Sequence, residues 1–236
     1  MNKKYNKTYI SSFSPDMKLF ELVEMSPSLL SIFSRLNIRL PFGDISVSEM
    51  CAREGHSIEL FMMLVSMHTD ETFRPAKEAL KPEMLSEIIA YLRASHRYYA
   101  DHMLPHTSAH LEKILRHCDT LAHSVLRRFY DEYTEYITNH FEEEERNIFS
   151  ILDSSPTNKH ADSACTLFDM PHADIDDRSN DIASLIFKNL PEEAPTSLRC
   201  TMLEHIYALR DDLRRHSNVE IYLLRPLVEM YITSKQ

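Results

Sequence analysis

The sequence predicts an all-α protein, in which an antiparallel four-helix bundle follows a small N-terminal helical domain. Only two glycines, Gly43 and Gly55, occur in 236 residues, and so few argue against a sheet protein with many tight turns. From residue 83 onward the chain is rich in Leu, Glu, Arg and Ala, which favour helices. Apolar residues there recur at helical spacing, so each helix is expected to bury one face.

Composition narrows the classes of function. A formal net charge of −10 argues against non-specific binding to nucleic acids or anionic membranes. No apolar run approaches the roughly 20 residues needed to span a bilayer. Residues 1–9 lack the apolar stretch of a secretory signal, so a cytoplasmic location is expected. The four cysteines form no C-x-x-C pair, which indicates neither a zinc ribbon nor a disulfide scaffold.

The N-terminal domain is predicted to span residues 1–68 as four short helices. Ser26 precedes Pro27 and is predicted to cap the second helix. Ser46 and Glu49 have the spacing of a capping box, and Gly55 stands where the third helix should end. The predicted helices cover about 17–23, 27–36, 47–54 and 57–67.

Residues 69–82, with two prolines and several charges, are predicted to be a linker, and residues 83–236 to form the bundle. Pro105 should kink or split the first bundle helix, and Pro171 should interrupt the third. The predicted bundle helices cover about 83–117, 120–152, 164–190 and 196–233.

A duplicated set of potential metal ligands is the most informative feature of the bundle. Each half carries one lone His followed by a His-x-x-x-Glu pair, and the two sets are separated by a constant 76 residues. Single pairs are common by chance in a chain with 13 His and 36 acidic residues, but three matches at one offset are much less common. The six candidate ligands are His96, His140, Glu144, His172, His216 and Glu220.

These six residues predict a two-metal, non-haem iron site in the bundle core. Residues four apart lie on one helix face, and apolar residues at helical spacing flank both pairs. Imidazole and carboxylate suit iron, manganese or zinc, and each carboxylate can bridge two metals. A closed structural zinc site is an alternative, although six ligands overfill one tetrahedral ion. A bundle with buried histidines and no metal is the other alternative, which the repeat disfavours.

Other histidines compete for this role. His102 and His106 fall off the apolar face of the first bundle helix and are expected in solvent, whereas His110 returns toward that face. Asp176 lies four residues after His172, but its acidic neighbours indicate a surface. The remaining histidines show no partner spacing: His56, His68, His117, His123, His160 and His205.

On these residues the bundle resembles the hemerythrin-like di-iron domain, in which five His and two carboxylates are usual. Four His and two Glu are closer to the branch called regulator of cell morphogenesis and nitric-oxide signalling, or repair of iron centres. In that branch the first His precedes a Leu-Pro, as His96 precedes Leu104-Pro105. The N-terminal region is similar to the small domain of those proteins at Leu22, Val23, Pro27, Phe33, Leu36, Asn37, Ile38, Gly43, Val47, Cys51 and Gly55.

The resemblance implies two iron ions joined by an oxo or hydroxo bridge, four terminal His ligands and two bridging Glu. It also implies binding of, or reaction with, nitric oxide, oxygen or peroxide in a stress response, linked to repair of damaged iron–sulfur proteins. Alternatives are a sensor module that couples gas binding to a partner or a homodimer interface, and an oxygen carrier or di-iron oxidase. The residues do not decide whether the chain is an enzyme.

The chain departs from that branch at one place. Where the family usually carries a Cys-Cys-Gly-Gly turn, this chain has Pro41 and Phe42 before Gly43 and Asp44. Any redox exchange or iron transfer that needs those two thiols is therefore not expected here, which favours the sensor alternative somewhat. Cys51 is predicted to be a small buried residue and not a nucleophile.

Overall fold

The computed structural model describes residues 12–150, 173–189 and 192–233. Within these ranges most residues lie in helices. The others form turns, loops and one isolated bridge between Lys18 and Ser46. The predicted all-α class, a helical bundle preceded by an N-terminal helical region, is confirmed. No helix in the described part of the chain is long and apolar enough to cross a membrane.

The N-terminal helices lie within two residues of their predicted bounds. A 3-10 turn at Pro27–Leu29 leads into the second α-helix, so the predicted helix over 27–36 combines two kinds of turn. The α-helices are α1 (Leu19–Met25), α2 (Leu30–Arg35), α3 (Val47–Glu54) and α4 (Ile58–Thr69).

Local side-chain chemistry sets the ends of α3. The Ser46 hydroxyl accepts a hydrogen bond from the Glu49 backbone N–H at 3.2 Å, and the Glu49 carboxylate accepts one from the Ser46 N–H at 2.7 Å. The bond from the Ser46 backbone N–H to the carboxylate is the main cause that lowers the pKa of Glu49. Gly55 ends the helix with φ 79°, a left-handed conformation that glycine adopts readily. The predicted capping box and helix stop are confirmed.

The predicted cap at Ser26 is confirmed in its position before Pro27, but not in the side-chain hydrogen bond expected of a cap. Ser26 holds the N-cap position before Pro27, but its side chain makes no capping bond. Its hydroxyl lies 2.9 Å from the hydroxyl of Ser28. The two hydroxyls form a hydrogen bond with each other, so the Ser26 side chain accepts no hydrogen bond from the N–H groups of the helix.

The C-terminal part of the chain consists of long helical runs interrupted by π turns. The first comprises α5 (Leu85–Tyr98), a π turn (Tyr99–Met103) and α6 (Leu104–Leu115). The second comprises α7 (Thr120–Glu144) and a π turn (Glu145–Phe149). Then follow α8 (Ala173–Asn189), α9 (Thr196–Val219), a π turn (Glu220–Leu224) and α10 (Arg225–Thr233).

Pro105 interrupts the regular α pattern without ending the first run. It is the second residue of α6, which begins directly after the π turn. Proline lacks an N–H and its ring clashes with the carbonyl four residues earlier in an α-helix. The wider π turn relieves that clash. The predicted end of the second helix near 152, the start of the third near 164 and its interruption at Pro171 lie outside the described residues.

The chain divides into two compact units, one made of residues 1–95 and 217–236 and the other of residues 96–216. Both cuts fall inside continuous helical runs, within α5 and within α9. The boundaries predicted from the sequence at residues 68 and 82 stay a prediction.

Within the first unit, His56 joins the N-terminal helices to α5. Its Nδ1 lies 2.8 Å from a Glu87 carboxylate oxygen and its Nε2 lies 3.2 Å from the Leu36 carbonyl. Both partners are acceptors, so the ring satisfies both when each nitrogen carries a proton. The hydrogen bond to Glu87 is the largest of the effects that raise the pKa of His56.

In the second unit, buried tyrosines connect the helices through their hydroxyls. Tyr130 donates to the Leu104 carbonyl at 2.8 Å, and Tyr99 donates to the Asp212 carbonyl at 3.2 Å. Burial raises the pKa of Tyr130, so its hydroxyl stays a donor. These bonds lie in a core of aliphatic and aromatic side chains from α6, α7, α8 and α9, which fixes the helices that carry the candidate ligands.

The His56–Glu87 pair predicts a pH dependence of stability. Because the pKa of His56 is raised in the folded state, its contribution is complete below the unfolded value of about 6.5 and is lost as pH rises through the folded value. We expect urea unfolding of the native chain to show a lower free energy of unfolding at about pH 8 than at about pH 6. Glu87→Gln should flatten this dependence, whereas the exposed Glu83→Gln should leave it unchanged. If the free energy of unfolding changed equally with pH in the native and Glu87→Gln proteins, the His56–Glu87 pair would not be the cause of the pH dependence.

Candidate metal centre

Five of the six predicted ligands lie on described, buried positions. Their relative exposures are 8% or less. The first lies on α5, the next two on α7, the fourth on α9 and the last at the start of the π turn after α9: His96, His140, Glu144, His216 and Glu220. Each His-x-x-x-Glu pair therefore lies on the buried stripe of its helix, as the apolar pattern predicted.

The Glu144 carboxylate lies between two imidazoles. Its Oε2 is 3.2 Å from His96 Nε2, and its Oε1 is 3.1 Å from His140 Nε2. A carboxylate that offers one oxygen to each of two rings has the arrangement of a bridge between two cations. Because an isolated buried carboxylate is costly, this position needs either protons on the rings or metal ions between the groups.

Side chains from three helices converge at this carboxylate. His96 Nε2 and His216 Nε2 lie 3.1 Å apart. Atoms of His96, Glu144 and His216 suitable for a metal lie within 4.8 Å of one another, and Glu220, one turn after His216 in the same helical run, belongs to the same group. His140 is outside that group of four and is connected to it through Glu144.

The remaining predicted positions have different outcomes. His172 lies outside the described residues, so its role as a ligand stays a prediction, and the side chain of Asp176 is likewise not described. His102 and His106 are exposed and His110 is buried, as predicted. The Nε2 of His110 donates to the Leu198 carbonyl at 3.0 Å.

Sequence reasoning missed Glu145, which orients His96. The Glu145 carboxylate lies 3.0 Å from His96 Nδ1. When the Nδ1–H group donates a hydrogen bond to this carboxylate, the unprotonated nitrogen is Nε2, which faces Glu144 and His216. This is the tautomer in which Nε2 can bind a metal. The helical spacing distinguished Glu144 within the run 142–145, but nothing in the sequence marked its neighbour.

Aromatic rings enclose the His96 imidazole. Phe141 stacks on it with ring centroids 4.3 Å apart and planes 19° apart, and Phe149 lies at 5.5 Å and 17°. These rings hold the imidazole in one orientation and keep water off its faces. Phe149 belongs to the π turn after Glu144, so the turn that follows the ligand pair also supplies part of its apolar wall.

His96 forms part of the wall of a cavity of about 550 Å³. Its wall includes Phe141 and Glu145, the ring that stacks on His96 and the carboxylate that orients it. Thr138 and the charged side chains of Arg97 and Arg146 also line it. Of the clustered candidate ligands, His96 is the one that lines this cavity.

A comparison with protein families matches residues 87–228 to the hemerythrin HHE cation binding domain, which is more than half of the chain. The chain belongs to the hemerythrin family. The match begins in α5 and ends in α10, so it covers all six candidate ligands. A cation-binding family is consistent with the buried His and Glu cluster. A search of curated proteins found no match.

The donor set of this hemerythrin-family chain fits first-row transition metals. Imidazole nitrogen and carboxylate oxygen suit iron, manganese and zinc, and the described part of the cluster includes no thiolate that would favour copper(I). The described residues that could hold a cation are the buried histidines and glutamates of this site: His96, His140, Glu144, His216 and Glu220.

Substitution of a ligand should remove metal. His140→Ala deletes a nitrogen donor and leaves Glu144 with one imidazole fewer, so we expect the metal content of the purified protein to fall to less than about half. His102→Ala is the matched control, because His102 is exposed and should leave metal content unchanged. Elemental analysis of both variants beside the native protein is the measurement. Full occupancy in His140→Ala would show that the ligand assignment is wrong.

The orienting role of Glu145 makes a separate prediction. Glu145→Gln keeps the size of the side chain but removes its charge, and loss of such a partner typically weakens metal binding by about 10–100-fold. We expect a decrease of this order in the affinity of the metal-free protein for Co²⁺, followed by its visible absorption. Glu142→Gln is the control, since Glu142 is 61% exposed. Equal affinities of the two variants would show that Glu145 does not orient His96.

Proposed function

We propose that this chain is a di-iron protein that binds or reacts with nitric oxide, oxygen or peroxide in a nitrosative or oxidative stress response. The observation that carries the proposal is the Glu144 carboxylate, which offers one oxygen each to His96 and His140 inside a cation-binding family domain. The proposed terminal ligands are His96, His140, His172 and His216, and the proposed bridges are Glu144 and Glu220.

The ligand count supports small-molecule chemistry. Four imidazoles and two carboxylates would give each of two ions four protein ligands, and an oxo or hydroxo bridge would make five. The proposed iron pair would supply open coordination positions and reversible changes of charge. Zinc in a closed structural site would leave no such position.

The chain's own residues prepare this site for a small ligand. Glu145 holds the proton at His96 Nδ1 and so keeps Nε2 available. Phe141 and Phe149 cover the faces of that ring and exclude water there. The cavity beside His96 provides an entry path.

The N-terminal region supports gas binding or sensing over thiol-based repair of iron–sulfur enzymes. Phe42 stands where the repair-of-iron-centres branch, which the chain resembles, usually has a cysteine. Its ring packs edge-on against Phe33 with ring centroids 5.5 Å apart. Burial is the main cause that raises the pKa of the Cys51 thiol to about 12, so this thiol stays protonated and unreactive at neutral pH. A sensor that couples gas binding to a partner is therefore the second candidate function.

The proposal predicts a direct reaction of the reduced, iron-loaded protein. Addition of nitric oxide or oxygen without other reagents should change its optical and electron paramagnetic resonance spectra, with about two irons per chain. Metal-depleted protein and His140→Ala should give no such change, whereas His102→Ala should respond like the native chain. An iron-loaded native protein whose spectra stay unchanged with both gases would overturn the proposal.

Repair can be separated from binding in the same preparation. Reduced protein is added to a nitric-oxide-damaged iron–sulfur enzyme, and recovery of that enzyme's activity is compared with recovery by a Pro41→Cys, Phe42→Cys double variant. We expect little recovery with the native chain. Strong recovery that the double variant does not improve would show that repair proceeds without the two thiols and would favour a repair protein over a sensor.

A further inference from the structure

Three histidines form a second cluster in the unit of residues 96–216. His106 and His110 lie four residues apart on α6, and His205 lies on α9. The His205 ring meets both others nearly edge to face, with centroids 4.8 Å from His106 and 5.1 Å from His110. None of the three belongs to the proposed di-iron centre.

The hydrogen bonds at this cluster leave nitrogen lone pairs available. His110 Nε2 lies 3.0 Å from the Leu198 carbonyl, and only a protonated nitrogen can donate to it. In the neutral ring the Nδ1 of His110 then carries a lone pair. His205 Nδ1 is buried and has no hydrogen-bond partner in the described part of the chain. Edge-to-face packing accounts for the contact between the rings, but not for this buried nitrogen without a partner.

The surroundings favour the neutral form of His205. Burial is the main cause that lowers its pKa, followed by the two neighbouring histidines. Lys113 acts in the same direction and Glu204 opposes it. A neutral imidazole is the form that coordinates a metal.

We propose that His106, His110 and His205 form a separate site for one borderline divalent cation of the Zn²⁺, Ni²⁺ or Cu²⁺ class. Two histidines four apart on one helix, with a third from a neighbouring helix, supply three imidazoles from positions already in contact. Three imidazoles plus water make the four-coordinate set that Zn²⁺ adopts. The site is distinct from the centre at Glu144, so it can be occupied while that centre holds iron.

Binding requires the rings to turn. Among the described residues, the one group of three or more potential ligands whose atoms already lie close enough to hold a metal is the group around Glu144, and the three histidines of this cluster do not belong to it. His106 is exposed and His205 is partly exposed, so their rings have room to rotate. The carbonyl of Leu198 keeps His110 in place, which makes it the fixed ligand of the three.

The test uses the full-length protein with its principal site loaded with iron. Zn²⁺ is added by equilibrium dialysis, and zinc and iron are measured in the same samples. We expect about one extra zinc per chain without loss of iron. His106→Gln should weaken this binding by more than about 10-fold, since it removes a ligand that is exposed and whose loss does not disturb the core. His205→Gln, which removes the partly buried ligand, should weaken zinc binding at least as much.

His102→Gln is the matched control, because it changes another exposed histidine one turn away on the same helical run and should leave zinc binding unchanged. Equal zinc affinity in native, His106→Gln and His205→Gln proteins would overturn the proposal. So would zinc uptake that occurs only with an equal loss of iron, since the added metal would then occupy the principal site. Circular dichroism of each variant verifies the fold, and His106→Gln keeps the test decisive if His205→Gln unfolds.

Discussion

A buried carboxylate with two imidazole partners is the interaction on which the centre of this protein depends. Glu144 is 8% exposed, and each of its oxygens faces a different histidine. Buried charge of this kind is tolerated only with close partners of opposite charge or suitable protonation. The tyrosine bonds between helices and the phenylalanine rings around His96 hold those partners at fixed distances. Rigid support is what a metal site needs, because ligand positions decide both affinity and choice of ion.

The π turns give the long helices a local change of register at the candidate ligands. One begins directly after Glu144, and another begins at Glu220. Each π turn adds a residue to the helical turn, and such turns occur frequently at functional sites. Within the turn after Glu144 the adjacent residues Ile148 and Phe149 are both buried. Phe149 then reaches His96 as part of the apolar wall.

Local sequence chemistry predicted most of the helices and both His-x-x-x-Glu pairs. Caps such as Ser46 with Glu49, and the stop at Gly55, depend only on neighbours along the chain. The i, i+4 spacing likewise selects Glu144 from a run of four acids, because helix geometry alone places it below His140. Ser26 shows the limit of such reasoning, since its hydroxyl had a competing partner two residues away.

By itself the sequence determined the helical class, the duplicated His and Glu pattern and the likeness to the hemerythrin family, because helical period and a constant repeat are readable along one dimension. Tertiary structure decided which side chains from different helices meet. It placed the Glu145 carboxylate beside His96. It also placed the His205 ring against His106 and His110. Contacts between residues 49 or about 100 positions apart depend on how helices pack, and no spacing within one helix encodes that packing.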